Sequence, residues 1–369
     1  MLVYVHVPFC ARRCSYCDFS IAVRSTTPSA AFVHSFGQEW HQRLDHPAWA
    51  DSTGVRTIYL GGGTPSRLDP GALDDLIGLM TDDRVLTEGA EVTLEANPDD
   101  VTPERAVAWS RAGINRVSLG VQSFSPPILE WMHRTHKAEQ VHPAVEAIRA
   151  AGIGRISIDL IYGLPAALGR RWEADLDLAF GLAPEHLSLY ALTLEPHTPL
   201  AHWVDRGESA APPDDLAADE FLTASTRLRE AGFEHYEVSN AALPGHHAIH
   251  NSGYWRREAF LGLGPSAHSA WGRHRSWNIR EWEAWRRAVD AGLDPEDGRE
   301  TLNDRQALLE SRYLGLRTDH GVPEALVPPA QREQWQAQGW AEASGGRVRL
   351  SPEGWLRLDT LVASLPDET

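Results

Sequence analysis

The chain has 369 residues and sets 34 Lys and Arg against 51 Asp and Glu, a formal net charge of −17. That balance excludes a protein that grips nucleic acid non-specifically, because such binding rests on an excess of cations over phosphates. No run of 18 apolar residues is present to cross a membrane as a helix, while 42% hydrophobic residues suffice for one large catalytic-type domain with a smaller appendage.

The first ten residues, MLVYVHVPFC, carry neither a basic leader nor a long apolar segment, and they read as a buried strand, so a cytoplasmic protein is expected. Further strands are predicted at Arg56–Leu60, Glu91–Glu95, Arg116–Gly120, Arg155–Leu160 and His186–Tyr190, after the first at Leu2–Val7. Helical spacing fills the intervals, at Ala30–Asp45, Pro70–Thr81, Pro103–Ala112, Ala138–Ala151 and Trp172–Leu182. Several of these open on a Pro after a capping residue, as at Thr102-Pro103, and close near glycine, as at Ala112-Gly113. Alternating strands and helices imply parallel strands joined by right-handed crossovers, as an open doubly wound sheet or a partial barrel. In both arrangements the reactive groups gather at the C-terminal strand ends. Beyond about residue 195 the alternation lapses. A linker at 211–215 leads into a helix ending near Ala231, a strand at Phe233–Ser239 and a histidine-rich loop, Pro244–Asn251. From Thr301 onward a small helical unit with a ribbon at Gly346–Leu350 suggests a winged-helix-like fold.

All three cysteines, Cys10, Cys14 and Cys17, fall within eight residues directly after the first strand. An odd count at this spacing speaks against disulfides and for metal ligation. The C-x3-C-x2-C loop can wrap one iron–sulfur cluster, and with no fourth cysteine in the chain one iron is left open, able to take the amino and carboxylate groups of S-adenosylmethionine. The competing reading is a zinc site completed by His6 or His34. Downstream, Gly61-Gly62-Gly63-Thr64 follows the second strand, where glycines let backbone groups approach a ligand closely. Glu95, Gln122, Arg134 and Asp159 lie at or beyond later strand ends, and Arg134 could meet a carboxylate as a planar donor fork.

Six segments, HVPFCARRCSYCDF, YLGGGTPS, TLEANPD, RVSLGVQSF, IDLIYGLP and HNSGYW, resemble the radical S-adenosylmethionine superfamily. Within it they resemble the branch that holds the oxygen-independent coproporphyrinogen III oxidases and the HemW-type heme chaperones. The resemblance implies an α/β fold: a partial (β/α)6 barrel with a small C-terminal α+β domain. It implies a [4Fe–4S] cluster on Cys10, Cys14 and Cys17, and S-adenosylmethionine contacts from Tyr4, Gly62, Gly63, Thr64, Glu95, Gln122, Arg134 and Asp159. The expected division is a core barrel over 1–210, a barrel extension carrying the HNxxYW segment over 211–300, and a small domain over 301–369.

Two departures separate the sequence from the oxidases of that branch. Phe19 stands where they carry a further cysteine, and only Met1, Leu2 and Val3 precede Tyr4, so their N-terminal extension is not expected here. The HNSGYW segment instead matches the chaperones, and the resemblance implies heme as cargo, an acceptor hemoprotein such as a respiratory enzyme, and a homodimer. His250 is the candidate axial ligand, with His246, His247 and His268 as other candidates. Against that stands the plain reading in which His250 and Asn251 cap a turn and Trp255 fills core. The alternative function is a radical enzyme that decarboxylates coproporphyrinogen.

Overall fold

The computed structural model describes residues 1–50, 52 and 54–366. In chain order its main elements are β1 (Leu2–Val7), α1 (Ser29–Leu44), β2 (Gly54–Gly62), α2 (Pro70–Asp83), β3 (Val85–Ala96), α3 (Pro103–Arg111), β4 (Arg116–Gln122), α4 (Val141–Ala150), β5 (Arg155–Tyr162), α5 (Trp172–Gly181) and β6 (His186–Ala191). There follow α6 (Asp214–Glu230), β7 (Glu234–Glu237), β8 (Asn240–Ala242), α7 (Ile249–Trp255), β9 (Phe260–Leu263), β10 (His268–Trp271), β11 (His274–Asn278) and β12 (Glu296–Thr301). The last unit holds α8 (Asp304–Leu316), β13 (Val322–Pro323), α9 (Pro329–Ala337), β14 (Ala341–Ser344) and β15 (Arg347–Leu350).

Strands β1 to β6 stand side by side in sequence order and are parallel throughout. A doubly wound sheet reverses its order at a switch point; this one does not, which selects the partial barrel. Alternation along each strand explains the curl. Val3, Val5, Ile58, Leu60, Leu94, Val117, Leu119, Ile156 and Ile158 belong to one buried core with the helices. Their neighbours in sequence, on the opposite face, are polar: Tyr4, Tyr59, Glu95, Ser118 and Asp159. The barrel therefore has an oily outside, sealed by helices, and a polar inside. Helix α2 illustrates the seal: Pro70 sets its first turn after Asp69, and Ala72, Leu73, Leu76, Ile77 and Met80 form its buried stripe. Each of the four larger side chains contributes about 1.5–3 kcal/mol on burial.

The sheet reaches further than the six expected strands. Among the described residues it has twelve, in the order β12-β11-β10-β9-β1-β2-β3-β4-β5-β6-β8-β7. Strand β9 runs parallel to β1 on its free edge, and β10 to β12 extend it antiparallel. The strand expected over Phe233–Ser239 is the shorter β7, paired with β8 as a hairpin. The helix expected from Ala138 opens as a 3-10 turn and becomes α-helical at Val141, which keeps Pro143 within the first turn, where its missing N–H costs nothing. In the last unit β13, β15 and β14 form a small antiparallel sheet beside α8 and α9. No helix of the described residues is long and apolar enough to cross a membrane.

Candidate functional site

The cysteine loop leaves β1 at the mouth of the barrel. Its base is clipped by a short parallel pair, Phe9–Cys10 with Ala22–Val23, and Phe9 is driven edge-on against Trp282 at 5.0 Å between ring centres. Its tip is pinned from the barrel side, where the Ser15 N–H donates to the Met132 carbonyl at 3.1 Å and Leu200 N–H donates to the Ser15 carbonyl at 2.8 Å. Cys10, Cys14 and Cys17 are half-buried and line one cavity of about 520 Å³. Burial pushes the Cys10 thiol up and the Cys17 thiol up to about 12, so a bound metal has to displace those protons.

The donor set suits a cluster and not the zinc alternative. His6 spends both ring nitrogens inside the protein, with Tyr4 Oη at 3.1 Å and the Ser20 carbonyl at 2.9 Å. His34 lies exposed on α1, beside Gln38 at 3.3 Å. Among the described residues no three Cys, His, Asp or Glu side chains converge as one ion requires. Three thiolates that each bind a different iron have no need to converge.

The same cavity collects most of the predicted residues from the C-terminal strand ends: Gly62 at the end of β2 with Gly63 and Thr64 after it, Glu95 from β3, Gln122 from β4 and Asp159 from β5, with Arg134 beside them. The Thr64 hydroxyl lies 3.4 Å from Cys10 Sγ. The glycines are required by β1 and by Pro8, where the chain leaves it. Gly62 has φ +108°, and a Cβ there would sit 2.6 Å from the His6 ring; at Gly63 it would meet the Pro8 carbonyl oxygen at 2.8 Å. Glu95 accepts from Tyr59 Oη at 2.8 Å and from the Gly62 N–H at 3.1 Å, yet burial still raises its carboxyl to about 7. Asp159 accepts from Ser118 Oγ at 2.9 Å, and burial raises it too. Gln122 holds φ 67°, a left-handed backbone at a β-bulge that turns its side chain off the strand. Arg134 donates to Asn97 Oδ1 and the Gly120 carbonyl, both at 2.6 Å, and its Nη1 is 3.7 Å from Cys14 Sγ. Its Nε is buried without a partner among the described residues, an orphaned donor at the wall of the cavity.

Tyr4 and His250 are placed elsewhere. The sequence left residues up to Asn251 as a loop, but from Ile249 onward they form α7, a seven-residue plug inside the barrel. Glu91 caps it, accepting from the Ile249 and His250 N–H groups at 3.0 Å each. The His250 ring is 1% exposed and both its nitrogens are engaged at 2.7 Å, with Thr57 Oγ1 and Tyr254 Oη. Burial lowers its imidazole to about 3, so it is neutral. Its ring packs 5.2 Å from Tyr59, the residue that holds Glu95. The plain reading of HNSGYW holds only in that His250 is structural: the cap comes from Glu91, not from His250 or Asn251, and Trp255 is half-buried, not core. Tyr4 lies above the plug and lines a second cavity, of about 550 Å³, that shares Asp18, Phe19, Gly62 and Glu95 with the first.

Sequence reasoning missed Tyr59 and Asn97, which position Glu95 and Arg134. Both sat inside quoted motifs, YLGGGTPS and TLEANPD, at i and i+2 spacings that put them on the inner face. The second cavity was only partly marked, by Tyr254 and Trp255 of HNSGYW and by His268, because its walls come from β1, α7 and β9 to β11, which lie far apart in sequence.

A family model described as the radical SAM superfamily matches residues 4–179. The protein named heme chaperone HemW in Mycobacterium tuberculosis is 36% identical over 371 residues, covering 98% of this chain and 94% of that one. That named heme chaperone HemW in Bacillus subtilis is 32% identical, covering 86% of this chain and 84% of its own. A radical S-adenosyl methionine domain-containing protein 1, mitochondrial, of Danio rerio is 31% identical over 98% of this chain and 86% of its own. Among solved structures, coproporphyrinogen III oxidase (HemN) from Escherichia coli superposes with a TM-score of 0.80 at 20% identity, over 98% of this chain and 89% of that one, a likeness of fold. Full-length identity of this order, on a sequential parallel half-barrel with a three-cysteine loop at its mouth, means that the chain belongs to the HemW-type branch of the radical S-adenosylmethionine superfamily.

Proposed function

We propose that this protein is a cytoplasmic heme chaperone that binds heme and passes it to an acceptor hemoprotein, while carrying a [4Fe–4S] cluster with exchangeable S-adenosylmethionine. The observation that carries the reading is the similarity to the Mycobacterium tuberculosis heme chaperone across 98% of this chain. Superfamily membership implies the cluster and S-adenosylmethionine. When bound, the cluster supplies an open iron for the amino and carboxylate groups of S-adenosylmethionine. Cys10, Cys14 and Cys17 would hold the cluster. Glu95 and Asp159 would accept from amino and hydroxyl groups, Arg134 would oppose a carboxylate, and Gly62, Gly63, Thr64 and Gln122 would line the ligand. Tyr4 would then act through His6 and the neighbouring wall, since it faces the second cavity.

The test is anaerobic. After cluster reconstitution, heme binding and coproporphyrinogen conversion are measured on the same preparation. The reading expects stoichiometric heme and no protoporphyrinogen. Multiple-turnover product would overturn it in favour of the oxidase.

A further inference from the structure

The second cavity is built from three kinds of wall. Tyr254, Trp255, Phe260 and Trp271 give it aromatic sides, and Phe19, 58% exposed, stands on the rim it shares with the cysteine cavity. Its volume lies within the roughly 300–1,000 Å³ typical of cofactor-sized ligands. Arg280, also on its wall, donates to the Asp18 carbonyl at 3.1 Å and meets no carboxylate within ion-pair distance among the described residues. Arg275 and Arg257 share the single carboxylate of Glu310, at 2.6 and 2.7 Å, so two guanidinium groups and Arg280 stand at this wall against one carboxylate, the other acids of the lining being Asp18, Glu95 and Glu258. The third element is His268 on β10. Its side chain is exposed, and among the described residues no hydrogen bond engages either ring nitrogen. Partial burial lowers its pKa, against a smaller opposing effect of Glu300. Opposite it in the ladder Trp277 packs on Gly298, where a Cβ would stand 2.4 Å from the indole, and the His268 and Trp277 rings lie 6.0 Å apart.

A flat apolar body, a carboxylate edge and a metal centre wanting a neutral nitrogen are together the chemistry of an iron porphyrin. Resting on the chaperone reading above, we propose that heme occupies this second cavity, with His268 and not His250 donating a ring nitrogen to the iron and Arg280 receiving a propionate. His250 and His6 are ruled out as ligands in this arrangement because hydrogen bonds hold both nitrogens of each ring.

Ferric heme titrated into the untagged, cluster-reconstituted chain tests this in one experiment with three variants. Wild type is expected to saturate at one heme per chain. His268→Ala should weaken binding at least tenfold and shift the visible bands, and added imidazole should restore the wild-type spectrum. Arg280→Gln should weaken binding severalfold without moving the bands. His250→Ala should leave the bands of bound heme unchanged. Wild-type affinity and spectrum in His268→Ala, or a spectrum lost only in His250→Ala, overturns the placement while heme binding itself stands. No saturable binding by wild type sinks the chaperone reading, and the placement with it.

Discussion

Replacing His250 by alanine removes the partner of the buried Thr57 hydroxyl and of the half-buried Tyr254 hydroxyl and opens a void beneath Tyr59. Unsatisfied buried groups and cavities each cost about 1–3 kcal/mol, so His250→Ala should lower unfolding stability by about 2–5 kcal/mol in urea titration; an unchanged midpoint would contradict the plug. Glu95 makes a different prediction. Its carboxyl titrates at about 7 in the fold against 4.5 in an unfolded chain. Between those values the folded chain keeps a proton that the unfolded chain has lost, so stability contributed at low pH is lost as pH rises through 7. Glu95→Gln should flatten that slope, read as the difference between unfolding midpoints at about pH 5 and about pH 8. Glu95 was legible in the sequence because its motif and strand-end position are local. The role of His250 was not, since its partner Thr57 lies 193 residues away and no spacing rule connects them.

Elements were read best where one strand alternates cleanly between an oily and a polar face. Strands β1 to β6 do so, and their expected spans lie inside the observed ones. Strands β10 to β12 do not: HSAW, HRSWN and EDGRET carry few apolar residues and sit on a sheet extension with one wet face, so periodicity could not reveal them. The Gly-rich turn at the end of β2 was placed correctly, but its neighbour across the turn is the end of β1, from which the cysteine loop departs. A Cβ at Gly62 would collide with His6, and φ +108° strains any other residue. Gly62→Ala should therefore cost more than about 1 kcal/mol and reduce iron and sulfide per chain after reconstitution. Gly78→Ala, on α2 with nothing within 4 Å of its added Cβ, should stabilise the chain by about 0.5–1 kcal/mol. Equal iron loading in both variants would contradict the proposed coupling of the turn to the cysteine loop.

At the scale of the whole molecule, Arg317 is one of the ties between the last unit and the barrel, beside the Glu310 pairs with Arg257 and Arg275 and the bridge between Glu237 and Thr318. Arg317 meets buried Glu237 at 2.9 Å and Ser239 Oγ at 3.0 Å, and stacks over Trp255 at 4.4 Å. Removing one partner of a buried ion pair costs about 3–5 kcal/mol. Arg317→Ala should accordingly speed proteolysis between β12 and α8 and lower the melting temperature, while an unaltered cleavage pattern would show that the junction is held by other contacts. The same joint borders Trp255 and so reaches the second cavity. Cysteines and cargo cavity then share one wall, formed by Asp18, Phe19, Gly62 and Glu95. Heme titrated into the reconstituted chain and followed in the visible spectrum is the most direct test of a heme chaperone. Saturation at one heme per chain and transfer of that heme to an added apo-hemoprotein are expected; a chain that takes up no heme saturably, or holds it without release to any acceptor, contradicts the chaperone role.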